Sequence, residues 1–337
     1  MKKVLKHIVV NVLILLFGLL IIFIALIFIP KDIKSRKAEI EESTPLAFSE
    51  MNVEREELLE NFDEFILSTA TQNSKNILQI VFNSGFKLNW LMQKDIYTEV
   101  EDYNDDSLKA WYVYNMGVIT KTGDTTVCFD LATPIVSPSL LNLAETCDYL
   151  FISHGDGDHY KQSVVKRILE NNGKVFIYDS TGIWEEMIKI NVDEQFYNNL
   201  YSLENDTETQ IDDLKIYTYR TSHRGEDKDN AWFFVNVNGY NILHTGDGKV
   251  DDYRDWEMFE DIDLLLANVI VLPIDLKDID TRYVIPLHMH EIAHNREFLE
   301  EATFTYYMSL LEEYEDMIDS KVYLLFWGES IEVEREE

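Results

Sequence analysis

The segment from Tyr149 to Tyr160 constrains this chain more than any other. Tyr149-Leu150-Phe151-Ile152 is a short apolar run that reads as a buried strand. From about Lys161 the apolar spacing is helical, with Val164, Val165, Ile168 and Leu169 inward and Asn172-Gly173 as a stop. Between the two lies Ser153-His154-Gly155-Asp156-Gly157-Asp158-His159, which carries four side chains able to ligate a metal. Gly155 and Gly157 loosen the turn, so that His154, Asp156, Asp158 and His159 can face one cavity. With the apolar run Lys174 to Tyr178 behind the helix, the loop sits inside a βαβ unit at the C-terminal end of a strand, where α/β sheets place their ligands.

The rest of the second half also alternates strand and helix signals, which predicts an α/β fold. Trp111 to Ile119 and Thr125 to Leu131 read as paired strands around the turn Lys121-Thr122-Gly123-Asp124, with Asp130 at the end of the second. Leu214 to Tyr219 is a strand leading to Ser222-His223. Trp232 to Val237 and Tyr240 to His244 form a hairpin across Asn238-Gly239 and deliver Thr245-Gly246-Asp247-Gly248. Ile262 to Leu272 and Tyr283 to Leu287 are two more apolar runs, the second reaching His288. Taken alone, His223 reads as a surface histidine, Asp247 as a turn aspartate and His288 as a strand-end residue. Four ligand-bearing strand ends in one chain are hard to produce by chance.

This series resembles the metallo-β-lactamase superfamily of metal-dependent hydrolases, whose loop signature is His-x-His-x-Asp-His. The likeness spans about Ala110 to Ser330. Asp156 stands where the family usually has its second histidine, a version similar to that in the hydrolase domain of bacterial DNA-uptake membrane proteins. Around Trp111, Thr245-Gly246-Asp247 and Pro286-Leu287-His288 the chain is most similar to the branch containing sugar-phosphate lactonases and phospholipase-D-like enzymes. The resemblance implies an αββα sandwich, two mixed sheets face to face with helices outside, and two divalent ions, zinc or manganese. It implies His154, Asp156 and His223 on one ion, Asp158, His159 and His288 on the other, and Asp247 bridging them. Asp158 would accept the proton of the attacking water, and Asp130 would orient the loop from behind. His290 lies on the same face as His288 if the strand continues, but the family ligand falls two residues after the proline, at His288. Arg224 and Lys249, each beside an expected ligand, either steady an anionic group or face solvent. Asp156 in place of an imidazole adds negative charge and makes Mn²⁺ more competitive with Zn²⁺.

At the other end of the chain, Ile8 to Ile29 is apolar apart from Asn11 and Gly18. At about 1.5 Å per residue it would reach about 33 Å, enough for a hydrocarbon core of about 30 Å. Ala25 to Pro30 offers no small-residue cleavage site, so residues 1–30 read as a retained single-pass anchor in the lipid bilayer. Lys2, Lys3 and Lys6 nearly balance Lys31, Lys34, Arg36 and Lys37, and the short N-terminal tail favours an extracytoplasmic catalytic domain. Residues 31–48 mix charges without an apolar period and read as a juxtamembrane linker. Residues 49–105, where Leu58, Leu59, Phe62, Phe65, Ile66 and Leu67 recur at helical spacing, read as a helical preface to a hydrolase domain over 106–337. Cys128 and Cys147 form one bridge if their segments are neighbours, or stay as two buried thiols.

Charge narrows the substrate. The chain carries 29 basic and 62 acidic residues, and the first 42 positions hold seven of the former and four of the latter, leaving −36 beyond them. Such a field repels polyanions within a Debye length of roughly 8 Å, so nucleic acid is disfavoured. The expectation is a membrane-anchored hydrolase of a small ester, lactone or phosphorylated substrate. The alternatives are a phosphodiesterase or nuclease, and a non-catalytic binding protein on the same fold.

Overall fold

Whether an apolar run is continuous or alternating sorts the strands of this chain. β4 (Tyr149–Ile152), β5 (Lys174–Tyr178), β11 (Ile262–Asn268) and β12 (Thr281–Leu287) are nearly unbroken apolar runs, and all four lie in parallel pairings, covered on both faces. β8 (Leu214–Thr221) alternates, with Leu214, Ile216 and Thr218 buried and Lys215 and Arg220 outward, and it pairs antiparallel on both sides. The computed structural model describes residues 31–69, 83–178, 183–222, 230–248, 259–269, 276–277, 279–292, 300 and 302–335. The expected anchor at residues 8–29 lies outside them, and no helix among the described residues is long and apolar enough to cross a membrane.

Among the described residues, the strands form two seven-stranded mixed sheets. The first also contains β1 (Leu108–Tyr114), β2 (Gly117–Thr122), β3 (Thr125–Phe129), β6 (Leu200–Leu203) and β14 (Ser330–Val333), in the order β14-β1-β2-β3-β4-β5-β6. The second adds β7 (Thr207–Ile211), β9 (Asn230–Val237), β10 (Tyr240–His244) and β13 (Lys321–Val322), in the order β13-β12-β11-β10-β9-β8-β7. In each sheet an antiparallel half gives way to a parallel half, at β3 in the first and at β10 in the second. The sheets meet through their aromatic faces: the Phe151 ring lies 5.2 Å from Phe233, and Phe129 stacks on His244 at 5.1 Å. Each buried phenylalanine contributes roughly 1.5–3 kcal/mol relative to exposure.

Helices α1 (Lys31–Glu42), α2 (Val53–Thr69), α3 (Ser84–Asp102), α4 (Pro138–Thr146), α5 (Gln162–Glu170), α6 (Ile183–Ile190) and α7 (Phe304–Tyr314) accompany the sheets. α3 packs on β1 and α4, and α4 packs on α5. Side chains start three of them: Asn83 accepts from Gly85 and Phe86 N–H, Ser137 from Leu140 N–H ahead of Pro138, and Thr303 from Tyr306 N–H.

Several expectations need correction. Trp111 to Ile119 is not one strand, because Asn115 takes φ +52° and turns the chain between β1 and β2, which pair Tyr112 with Val118. Residues 31–48 contain a helix that the sequence pattern did not mark: α1 buries Ile33 and Ile40 and packs on α3, two apolar positions seven apart that are too sparse to read as a stripe. The run after Ile262 ends its strand at Asn268. The expected helical preface is present as α2 and α3, and α3 packs on β1 of the hydrolase fold, as an apolar helical stripe should. Arg55 on α2 is 3% exposed and grips both carboxylate oxygens of Glu329 at 2.6 Å, with Nη2 donating to Leu324 O at 2.8 Å. Cys128 on β3 and Cys147 before β4 are bridged, with Cα atoms 6.0 Å apart.

Candidate metal centre

The loop after β4 is built on one buried aspartate. Asp130 follows β3 with φ +41° and no exposure, and its N–H donates to Phe151 O at 2.9 Å on the neighbouring strand. Its carboxylate accepts from Ser153 N–H at 2.7 Å, Ser153 Oγ at 2.5 Å and His159 Nδ1 at 2.7 Å. Holding the imidazole proton on Nδ1 leaves the Nε2 lone pair to face the cavity, the arrangement that metal-ligating histidines adopt.

The second sheet supplies the opposing ligands. Gly246 takes φ +50° after β10, where a Cβ would run into Ser153 and Asn230, so only glycine lets the two loops meet. Asp247 follows, with its N–H donating to Asn230 Oδ1 at 3.0 Å and its Oδ1 accepting from Asn268 Nδ2 at 2.8 Å. Asp247 Oδ2 then faces three imidazoles: it lies 3.3 Å from His159 Nε2, 3.5 Å from His288 Nε2 and 3.9 Å from His154 Nε2. Asp158 Oδ2 accepts from Asn115 Nδ2 at 3.0 Å and lies 3.5 Å from His159 Nε2 and 4.0 Å from His288 Nε2.

Asp158, His159, Asp247 and His288 thus offer four ligand atoms, all within 4.8 Å of one another. An ion with bonds of about 2.0–2.2 Å sets tetrahedral ligands roughly 3.3 Å apart, so a small contraction would seat one. His159 Nε2 is buried with no aligned hydrogen bond, which fits the same demand. For the other expected ion, His154 Nε2 lies 3.6 Å from Asp156 Oδ2, and the Asp156 side chain is 41% exposed. Its third ligand, His223, lies outside the described residues, as do Arg224 and Lys249. Among the described residues, one ligand set is complete and the other has His154, Asp156 and the shared Asp247. His290 turns away from the cluster to Asp63, and His244 packs on Phe129 with Nε2 3.2 Å from Met116 O.

The charges agree with this arrangement. Burial pushes Asp247 upward, but His288 and His159 outweigh it and hold the carboxyl well below its usual range; Asp158 is held down against burial chiefly by His159. Burial opposes charge on His159, yet Asp247 and Asp130 raise it well above an ordinary imidazole. His154 moves down, through burial and then through His159 beside it. A pocket this acidic calls for positive charge beside its carboxylates.

A sequence profile describing the β-lactamase superfamily domain matches residues 110–288, from β1 to the last clustered histidine. The chain belongs to the β-lactamase superfamily. No curated protein matches it by sequence. Among solved structures of the superfamily fold, it is similar to CmlA, a diiron β-hydroxylase from Streptomyces venezuelae, with 12% identity, 68% of this chain and 54% of that one covered, and a TM-score of 0.51. It is also similar to Igni18, a metallo hydrolase from the archaeon Ignicoccus hospitalis, at 14% identity over 68% of this chain and 100% of that one, with a TM-score of 0.49. YhfI from Bacillus subtilis gives 14%, 68%, 100% and 0.48 in the same measures. At 12% identity the likeness to CmlA shows the fold alone.

Within the superfamily domain, sequence reasoning missed Ser153, Asn115, Asn230 and Asn268. Asn268 ends an apolar run just as Asp130 and Asp247 follow theirs, and that position was its one signal. Asn115 lay inside what read as a continuous strand. Ser153 and Asn230 carried no mark.

Proposed function

We propose that the chain is a metal-dependent hydrolase that directs an activated water at a small ester, lactone or phosphorylated substrate. The observation that carries this reading is one carboxylate oxygen, Asp247 Oδ2, facing the imidazoles of His154, His159 and His288 beside a second carboxylate on Asp158. Divalent ions held by Asp158, His159, His288 and Asp247, and by His154, Asp156, His223 and Asp247, would supply Lewis acidity and lower the pKa of a water toward neutrality.

The chain's own groups divide the remaining work. Asp130 keeps the His159 proton on Nδ1, and Asn268 fixes one oxygen of Asp247 so that the other faces the histidines. Asp158 stays ionised, and its side chain is 18% exposed, so a proton taken at its carboxylate passes on to solvent. Lys161 places its ammonium over Gly157, 3.8 Å from where a Cβ would stand; burial lowers its pKa and Asp158 opposes that. It joins Arg224 and Lys249 as a candidate contact for an anionic group. The −36 balance of the soluble part supports a small substrate over a polyanion. The reading includes the anchor at residues 8–29 and an extracytoplasmic domain. The Cys128–Cys147 bridge supports that placement, because cytosolic thiols are kept reduced.

The test is metal content and turnover of the full chain, loaded with Zn²⁺, Mn²⁺ or Fe²⁺ and offered lactones, phosphomonoesters and phosphodiesters. The reading expects close to two ions per chain, with His154→Ala plus His288→Ala losing both metal and turnover. Less than about a tenth of an ion per chain after metal-replete expression would replace it with the binding-protein alternative.

A further inference from the structure

The loop that carries His288 into the cluster holds a backbone that side chains resist. φ is +69° at His288 and +58° at His290, both in the left-handed region, so the surroundings must hold the loop in place. Four bonds involving its backbone contribute: His288 N–H to Asn115 O at 3.0 Å, His290 N–H to Ala302 O at 3.1 Å, Tyr112 OH to Met289 O at 3.3 Å, and Ile292 N–H to Tyr114 OH at 3.0 Å. The tie through the His290 side chain comes from far away in sequence. His290 Nε2 donates to Asp63 Oδ1 at 2.5 Å, a carboxylate on α2 that is 4% exposed. Asp63 also accepts from Phe304 N–H at 3.0 Å, Thr305 N–H at 2.7 Å and Thr305 Oγ1 at 2.5 Å. One side chain therefore joins the N-terminal helices, the ligand loop and the first turn of α7.

We propose that Asp63 is a positioning residue of the metal centre, holding through His290 the loop that aims His288 at Asp247. The proposal rests on reading His288 as a ligand. The box around the pair is aromatic: the His290 ring lies 5.1 Å from Phe62 and 4.4 Å from Phe304, and Phe62 lies 4.7 Å from Phe326. A buried carboxylate and imidazole are costly to place there, and an apolar residue in place of His290 would fill the box, while Asp63 would still serve the N–H groups of Phe304 and Thr305. What apolar residues would not do is fix the direction of the loop two residues from His288. Asp63 lies outside the matched superfamily domain, so the N-terminal helices become part of the centre's support.

The experiment uses the full chain and reads metal affinity by competition with a chelator, together with the absorption of the Co²⁺-loaded form. Asp63→Ala and His290→Leu should weaken binding about ten- to hundred-fold and change the Co²⁺ spectrum. His290→Gln, which keeps a donor for Asp63, should recover most of the affinity. Thr305→Val, which removes a bond from the same carboxylate without touching His290, should lower the Tm and leave affinity unchanged. If Asp63→Ala fails to fold, the His290→Leu and His290→Gln pair decides. Unchanged affinity in His290→Leu, with a Tm loss like that of Thr305→Val, would show a merely structural tie and overturn the proposal. Unchanged affinity in His288→Ala would instead remove the ligand reading beneath it.

Discussion

Asp130 is placed behind the ligands, yet three groups of the ligand loop end on its carboxylate. Asp130→Asn replaces one acceptor oxygen by a donor, so either Ser153 or His159 loses its partner. Metal affinity should fall about 10- to 100-fold, read by chelator competition, and an unchanged value would show that His159 holds its orientation unaided. Asp156 makes the opposite case, being 41% exposed on its side chain and 3.6 Å from His154. Asp156→Ala should leave the ion held by Asp158, His159, Asp247 and His288 in place. Asp156→His should shift the neighbouring site from Mn²⁺ toward Zn²⁺, and titration of the apo proteins with both ions checks the pair. Residues such as His154, Asp158, His159, Asp247 and His288 were legible because their types are uncommon at strand ends and fall in a known order. Asn115, Asn230 and Asn268 were not, because an asparagine near a strand end is ordinary. Only the folded chain shows that their amides meet Asp158 and Asp247.

Elements were most readable where burial was uniform. The parallel strands announce themselves as apolar runs, whereas the break between β1 and β2 hides in a left-handed Asn115 that no alternation marks. Arg55 on α2 escaped the same reading, because a charged side chain reads as solvent-facing and here lies buried against Glu329. Arg55→Ala would strand Glu329 in the interior and should cost about 3–5 kcal/mol in urea unfolding of the full chain. Arg55→Met with Glu329→Gln should recover most of that, because no charge is left buried. Acid should act on α2 through Asp63. His290 and the Thr305 bonds outweigh burial and hold this carboxyl below the ordinary value of about 3.9. A depressed folded pKa stabilises above the unfolded value, and that contribution is lost as pH falls through the folded pKa. The Tm gap between the chelator-treated wild type and Asp63→Asn should therefore be full above about pH 5 and close toward pH 3. A gap that stays constant would show that Asp63 titrates as an exposed carboxyl.

At the scale of the whole molecule, the plan of two mixed sheets was legible from the order of strand-end motifs, while the contact of Arg55 with Glu329 was not. Residues hundreds of positions apart share one interior, and composition shifts do not report that. The Cys128–Cys147 bridge can be checked on chain drawn from its native cells and denatured: alkylation without reductant should label neither cysteine, and labelling of both would put the domain in a reducing compartment. The pairing of β14 with β1 adds a constraint in time. Trp111 waits for Ser330, and Arg55 waits for Glu329 across 274 positions. Synthesis at about 5–20 residues per second leaves the apolar edge of β1 uncovered for about 10–40 s before its partner exists. An uncovered edge of this kind recruits other strands. Until β14 is synthesised, the edge of β1 is therefore open to a chaperone or to a strand of another chain.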